Sequence, residues 1–166
     1  MNQVRVRDAR PDDLHSVAQL LKEAYGQYSI LMPVDAWQSY LQDIMDVEAR
    51  LSESQLIVAD VDGRLSGAVT LYLKGSDLSW PAGWAGIRLL GVHPDGRGKG
   101  VGRALMDECI RRSRVAGLKA VGLHTTTAMD VGRRLYERMG FVRVPEFDFH
   151  PSEDVVVMAY CLDIAS

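Results

Sequence analysis

Cysteine is nearly absent from this chain: Cys109 and Cys161 are the only two among 166 residues, far apart and without a C-x-x-C pair or a neighbouring histidine. That excludes a disulfide framework and offers no zinc-ligand pattern. No apolar run approaches the roughly 20 residues of a membrane span, and the opening Met1-Asn2-Gln3-Val4-Arg5 has no signal-peptide core. Positive charge is not in excess either. Lysine and arginine total 19 against 22 acids, a net charge of −3, so no nucleic-acid-binding surface is expected. Linkers, repeats and low-complexity tracts are missing. What remains is the expectation of one soluble, cytoplasmic domain over 1–166, with no metal, no nucleic acid and no membrane partner. Its 47% hydrophobic composition is enough for a sizeable core.

What is present alternates between two periods. Val4 and Val6 mark a short strand, and Pro11-Asp12-Asp13 opens a helix carrying Leu14, Val17, Leu20, Leu21 and Ala24 on one side. A second helical stretch around Trp37, Tyr40, Leu41, Ile44 and Met45 follows Pro33. The β-rich runs 56–59 and 65–73 flank Asp62-Gly63, which reads as a hairpin turn, so the sheet begins antiparallel. Gly83 to Val92 is the next strand, stopped by His93-Pro94. A helix from about Gly100 to Ala116 then presents Val101, Leu105 and Cys109 on one face. Its Asp107 can pair with Arg103 and Arg111 on another face, and Gly117 caps it. Lys119 to Leu123 is a strand, Met129 to Met139 a helix ended by Gly140, Val142 and Val144 a sixth strand, and Val155 to Leu162 a seventh.

One stretch carries chemistry in its backbone. In Leu89 to Gly102 an apolar strand breaks into a glycine-dense basic turn that opens a helix. Glycines at 96, 98, 100 and 102 permit positive φ and remove Cβ atoms, so successive N–H groups can converge on a phosphate. The helix start adds unpaired donors and the positive end of its dipole, and Arg97 and Lys99 add full charge. This is not a P-loop, because Lys99 is followed by Gly100 rather than Ser or Thr. Nor is it a dinucleotide turn, because Gly102 comes one residue too early for G-x-G-x-x-G. R-x-x-G-x-G fits, filled by Arg97, Gly100 and Gly102. This pattern resembles the acetyl-CoA motif of the GNAT superfamily of N-acetyltransferases.

A second motif supports the resemblance at the appropriate distance: Leu135-Tyr136, then Gly140-Phe141, is similar to the L-Y-x-x-x-G-F signature of the same superfamily. The element order β-α-α-β-β-β-α-β-α-β-β matches too. The resemblance implies an α/β (α+β) GNAT fold, a mixed six- to seven-stranded sheet splayed between strands 4 and 5 and flanked by about four helices. It implies acetyl-CoA as cosubstrate. Arg97, Gly98, Lys99, Gly100, Val101, Gly102 and Arg103 would take the pyrophosphate, and the backbone of Leu90 and Val92 the pantetheine arm. The Val92 N–H would polarise the thioester carbonyl, a type of contact worth roughly 2.7–4 kcal/mol of barrier. Tyr136 would stand near the sulfur, where strands Gly86 to Val92 and Lys119 to Leu123 splay apart. A phenol stays protonated at pH 7 and can give its proton to the departing thiolate. One departure from the pattern is Met129, where the family often has Asn.

The proton acceptor is left open by the residues. Many members of the family place a glutamate on the fourth strand, but Gly83-Trp84-Ala85-Gly86-Ile87-Arg88-Leu89-Leu90 holds no carboxylate. His124, Glu146, Asp148, His150 and a water chain are the candidates. The acceptor itself, a small molecule or a peptide amine, is expected to meet the Gly26 to Met32 loop, the second helix and the Pro145 to Pro151 loop, whose aromatics are Tyr25, Tyr28, Trp37, Tyr40, Phe147 and Phe149. Trp80 and Trp84 are placed to cover an edge or a subunit contact, and a homodimer is a tendency of the family. Cys109 and Cys161 lie in a helix face and a strand, so transfer is expected to be direct, through a ternary complex. Two other classes fit the same residues: a noncatalytic acyl-CoA-binding or sensing module, and an acyltransferase using another acyl group or acceptor.

Overall fold

The computed structural model describes residues 3–74, 80–127, 129–152 and 155–165. Its strands are β1 (Val4–Asp8), β2 (Gln55–Val61), β3 (Arg64–Tyr72), β4 (Trp84–Val92), β5 (Ala120–Thr125), β6 (Val142–Arg143), β7 (Phe149–Ser152) and β8 (Val155–Asp163). The helices are α1 (Leu14–Gly26), α2 (Val34–Met45), α3 (Val47–Arg50), α4 (Val101–Val115) and α5 (Asp130–Arg138). Sheet neighbours follow the order β1-β2-β3-β4-β5-β8-β6, with β7 joined to β8. The chain divides into two compact units, Met1–Thr70 with Leu89–Glu108, and Leu71–Arg88 with Cys109–Ser166.

In the first unit β1 runs antiparallel to β2, with Val6 opposite Ala59. Of the apolar stripe predicted for α1, Val17, Leu20, Leu21 and Ala24 are buried and Leu14 partly so; Val17, Leu20 and Leu21 pack with Ile44, Val47, Val58, Ala68 and Leu89. Two glycines set close approaches. A Cβ on Gly91 would stand 2.9 Å from Leu21 Cδ2, so α1 lies tight on the end of β4. A Cβ on Gly67 would meet Val101 Cγ1 at 2.5 Å and Leu105 Cδ1 at 2.9 Å, which seats the start of α4 on β3. Arg7 joins Asp13 at 2.7 Å and Asp60 at 2.9 Å, fastening the entry to α1 to the first hairpin of the sheet.

In the second unit β4 runs parallel to β5, but the pairing covers only Trp84↔Ala120 to Ile87↔Leu123. Both strands continue past the last pair, β4 to Val92 and β5 to Thr125. On its other side β5 pairs antiparallel with β8 over its whole length, Leu123 opposite Tyr160 and His124 opposite Ala159. Alternation then puts Val121, Leu123, Tyr160 and Leu162 on one face and Gly122, His124, Ala159 and Cys161 on the other. Helix α5 lies on the Leu123 face: the Tyr160 hydroxyl donates to Glu137 at 3.2 Å, and a Cβ on Gly140 would be 3.5 Å from Leu162 Cδ1. The His124 face is covered by aromatic rings. Trp80 lies on Gly122, where a Cβ would come within 2.7 Å of the indole, and stacks on His124 at 4.7 Å.

Within the 145–151 stretch read from sequence as a loop, a 3-10 turn (Pro145–Phe147) leads into β7. β7 pairs with β8 through Phe149↔Val157. Pro151 and a run of only four residues leave little strand signal for sequence to show.

Candidate active site

The first unit holds the glycine-rich turn. Strand β4 kinks just ahead of it, where Leu89 takes φ 55° although it is not a glycine. A bulky side chain in left-handed backbone is strained, and its burial in the core holds it there. Beyond the kink, the Leu90 carbonyl accepts the Tyr25 hydroxyl at 3.0 Å. That contact ties the end of α1 to the stretch expected to meet a pantetheine arm. Leu90 and Val92 themselves are half-buried.

His93 organises the turn that follows. Its backbone N–H donates to the Ser66 carbonyl at 2.8 Å, and its own carbonyl accepts from Gly96 at 2.8 Å. The ring Nδ1 accepts the Asp95 N–H at 3.1 Å, so Nε2 carries the proton of the neutral ring and meets Glu23 Oε2 at 2.6 Å. Strand β3, helix α1 and the turn are thus joined through one residue, β3 by its backbone and the other two by its ring. Gly96 is buried here because a Cβ would sit 3.2 Å from Ser66 Cβ.

The four glycines divide by role. Gly98 and Gly100 have φ of 77° and 80°, and a Cβ on either would meet nothing within 4 Å. Their requirement is conformational, and the space beside them is open. Gly102 lies inside α4, whose ladder starts with the Ala104 N–H on the Gly100 carbonyl at 3.0 Å. Arg97 and Lys99 are exposed on either side of Gly98. Val101 is buried against β3, so only its backbone is available to a ligand, and Arg103 is held by Asp107 at 3.3 Å. A cavity of about 260 Å³ opens beside the turn, lined by Lys99, Gly96, Asp95, Arg64 and Ser66 among others. Left-handed glycines, open space, two exposed cations and a helix start together fit a pyrophosphate.

The second unit holds Tyr136, buried in the last turn of α5. The motif around it is a helix-ending device. Gly140 takes φ 97°, its N–H donates to the Glu137 carbonyl at 3.1 Å, and the Phe141 N–H donates to the Tyr136 carbonyl at 3.0 Å. This is the Schellman pattern, with Tyr136 and Phe141 making its usual apolar contact at 6.0 Å between rings. The Tyr136 hydroxyl lies back over Gly132, 3.4 Å from where a Cβ there would stand. Met129, at the N-cap, supplies no side-chain acceptor, which leaves the first donors of α5 uncapped by it.

The four side chains open as proton acceptors separate here. Asp148 takes two donors from Arg143, at 2.6 and 2.7 Å, and the Ala159 N–H at 2.7 Å. The Arg143 guanidinium, with that amide, holds its carboxyl down to about 2, so it is a poor acceptor at neutral pH. Glu146 and His150 are exposed. His124 is half-buried, with Nε2 at 2.9 Å from the Phe147 carbonyl. Burial pushes its pKa below the ordinary imidazole value. Cys109 is buried, and burial with nearby Asp163 and Glu146 pushes the Cys161 thiol up, away from the reactive thiolate. Among the described residues no group of His, Cys, Asp and Glu is arranged to hold a metal ion.

A family model described as the acetyltransferase (GNAT) family matches residues 14–141. The chain belongs to that family. It is 31% identical over 151 residues to the mycothiol acetyltransferase of Propionibacterium freudenreichii, covering 83% of this chain and 43% of that protein. Against the mycothiol acetyltransferase of Cellulomonas flavigena it is 37% identical over 109 residues, covering 59% and 31%. The chain therefore spans less than half the length of these relatives. Among solved structures, the PaiA N-acetyltransferase of Thermoplasma acidophilum in complex with coenzyme A superposes with a TM-score of 0.74 at 17% identity, over 95% of this chain and 98% of that one. A GNAT family acetyltransferase of Brucella melitensis in complex with acetyl-CoA gives 0.67 at 21% identity, over 99% and 90%. At these identities the likeness is one of fold.

Sequence reasoning named the GNAT turn and the Tyr136 motif, and the structure puts Leu90, Val92 and residues 97–103 in one unit and Tyr136 in the other. It did not name Glu23, and it gave no role in the site to the side chains of His93 or Leu89. Glu23 and its partner lie 70 positions apart, and a leucine gives no sequence signal for left-handed backbone. Tyr25 was noted only as one of several aromatics, because its bond to the Leu90 carbonyl joins residues 65 positions apart.

Proposed function

We propose that this GNAT acetyltransferase moves an acetyl group from acetyl-CoA to a primary amine by direct attack in a ternary complex. The observation that carries the reading is the left-handed pair Gly98 and Gly100, bare of Cβ atoms in open space between exposed cations. In this reading Arg97, Lys99 and the N–H groups of 98–103 hold the pyrophosphate, with Arg103 at its margin. Leu90 and Val92 offer backbone groups to the pantetheine arm, the Val92 N–H facing the thioester oxygen. Tyr136 gives a proton to the leaving thiolate, and a fixed phenol suits that task. The raised, protonated Cys161 and the buried Cys109 support direct transfer over an acetylated enzyme. The acceptor is a small amine, an amino acid or a peptide N-terminus, and relatives named for mycothiol favour the small molecule.

The test is an acetyl-CoA-coupled screen of amines, amino acids, polyamines, aminoglycosides and peptides, repeated with Tyr136→Phe. Transfer to an amine should appear, and in the variant kcat should fall about 100-fold or more, with acetyl-CoA affinity by calorimetry changed only a few-fold. Tight cofactor binding with no transfer to any member of the panel would favour a sensing module instead. Unchanged turnover in Tyr136→Phe, where chemistry limits the rate, would remove the phenol from the mechanism.

A further inference from the structure

We infer that His124, through Nδ1, is the group that accepts the amine's proton in this reaction. The inference rests on the N-acetyltransferase reading above and supplies the member that β4, lacking any carboxylate, does not. Three observations lead to it. The first is tautomer. A carbonyl oxygen can only accept, so the 2.9 Å contact between His124 Nε2 and the Phe147 carbonyl puts the neutral ring's proton on Nε2. Nδ1 then carries the lone pair, and it has no partner among the described residues.

The second observation is position. The parallel ladder between β4 and β5 ends at Ile87↔Leu123, and His124 is the first residue of β5 beyond it. It therefore stands where the strand's edge toward β4 ceases to be occupied by that ladder. The third is the face. His124 projects to the side of β5 away from Leu123 and Tyr160, whereas α5, which carries Tyr136, packs on the Leu123 side. A proton acceptor on one face and the helix of the proposed proton donor on the other keep the two proton transfers, from the attacking nitrogen and to the departing sulfur, on separate side chains.

The surroundings hold the ring in this role. Trp80 stacks on it at 4.7 Å and 23°, and Phe149 meets it edge-on at 5.1 Å. The charged groups acting on it are Arg88 of β4, which disfavours the imidazolium, and Asp148, which favours it but is itself neutralised by Arg143. Burial is the larger effect, so the ring is neutral and able to accept at pH 7. The competing carboxylate, Asp148, has its oxygens occupied by three donors.

The proton balance closes with these two side chains. An ammonium acceptor first loses one proton to solvent by way of Nδ1. The neutral amine's lone pair then forms the C–N bond as the thioester carbonyl pair moves to oxygen. The attacking nitrogen passes its surplus proton to Nδ1, directly or through one water. The oxygen pair returns, the C–S bond breaks, and the thiolate takes the phenolic proton of Tyr136. The imidazolium releases its proton to solvent and solvent restores the phenol, so one proton is released per ammonium consumed.

The test has an arm that does not depend on turnover. Long-range proton–nitrogen NMR of the ¹⁵N-histidine protein, with His124 assigned by its absence from His124→Gln, should show a neutral ring protonated at Nε2 at pH 7. An Nδ1–H tautomer, or an imidazolium at that pH, would overturn the proposal whatever the enzyme does. In the second arm phenethylamine is the acceptor. His124→Gln keeps a donor for the Phe147 carbonyl, so acetyl-CoA binding by calorimetry should be retained while kcat falls about 100-fold. The acid limb of the kcat profile should vanish. Free imidazole should restore part of the rate in His124→Ala and none in Tyr136→Phe. Retained kcat and acid limb in His124→Gln would overturn this proposal alone. A wild-type protein that acetylates neither phenethylamine nor any other amine, though it binds acetyl-CoA, would overturn the N-acetyltransferase reading and this proposal with it.

Discussion

A leucine in left-handed backbone costs roughly 1–2 kcal/mol relative to ordinary geometry, and Leu89 bears that cost inside a well-packed core. Its side chain is buried with Val17, Leu20 and Leu21, so the apolar contacts offset the backbone penalty. Asp148 shows the same economy in polar terms. Its two bonds from Arg143 and one from the Ala159 amide turn a residue that composition offered as a base into a structural anion. Because its folded pKa, about 2, lies below the usual 3.8, the stability it contributes is complete above about pH 4 and is lost as pH falls toward 2. Asp148→Asn should therefore destabilise the protein at pH 7 by about 1–3 kcal/mol, measured by urea unfolding. The gap between the two proteins should narrow as the titration is repeated at lower pH. A gap that stayed constant down to pH 2 would contradict the ion pair.

At the level of elements, helix endings repeat one solution. Both α4 and α5 stop at a glycine with positive φ, Gly117 at 77° and Gly140 at 97°. In α4 the Gly117 N–H meets the Arg114 carbonyl at 2.9 Å and the Leu118 N–H meets the Ser113 carbonyl at 3.0 Å, the same paired bonds that close α5. Gly140→Ala should cost about 1–2 kcal/mol, since the added methyl has room beside Leu162 and only the backbone angle is penalised. The same variant should lower kcat more than it raises the KM for acetyl-CoA, because Tyr136 sits in the turn being loosened. Equal stability of the two proteins would show that the left-handed angle is not needed. Element order was readable from periodicity: each predicted strand and helix has a counterpart. The short pieces were not, since α3 is four residues long and β7 contains a proline, too little chain for either period to show.

For the whole molecule, the glycine spacing and the Leu135-Tyr136…Gly140-Phe141 motif were enough to expose the family. The rest of the candidate site depends on residues brought together from distant positions, such as Glu23 with His93 or Trp80 with His124. No local pattern encodes such meetings, and His124 could be told from Asp148 only once each one's partners were known. A bound donor should register across the molecule. Acetyl-CoA at 100 times its Kd should stabilise the fold by about 2.7 kcal/mol, read as a rise in Tm, and Gly100→Asp should abolish the rise by setting a carboxylate where the pyrophosphate is proposed to lie. An undiminished rise in that variant would sink the cradle. The paired bonds that end α5 have one more effect. The final turn of a helix is ordinarily where it frays first, so a residue there spends part of its time unwound. Tyr136 occupies that turn, yet its carbonyl is tied to the amide of Phe141 in the chain beyond. Slow solvent exchange at the Phe141 amide should thus track unfolding of the surrounding structure rather than a local opening, so that the proposed proton donor stays in register for as long as the protein stays folded.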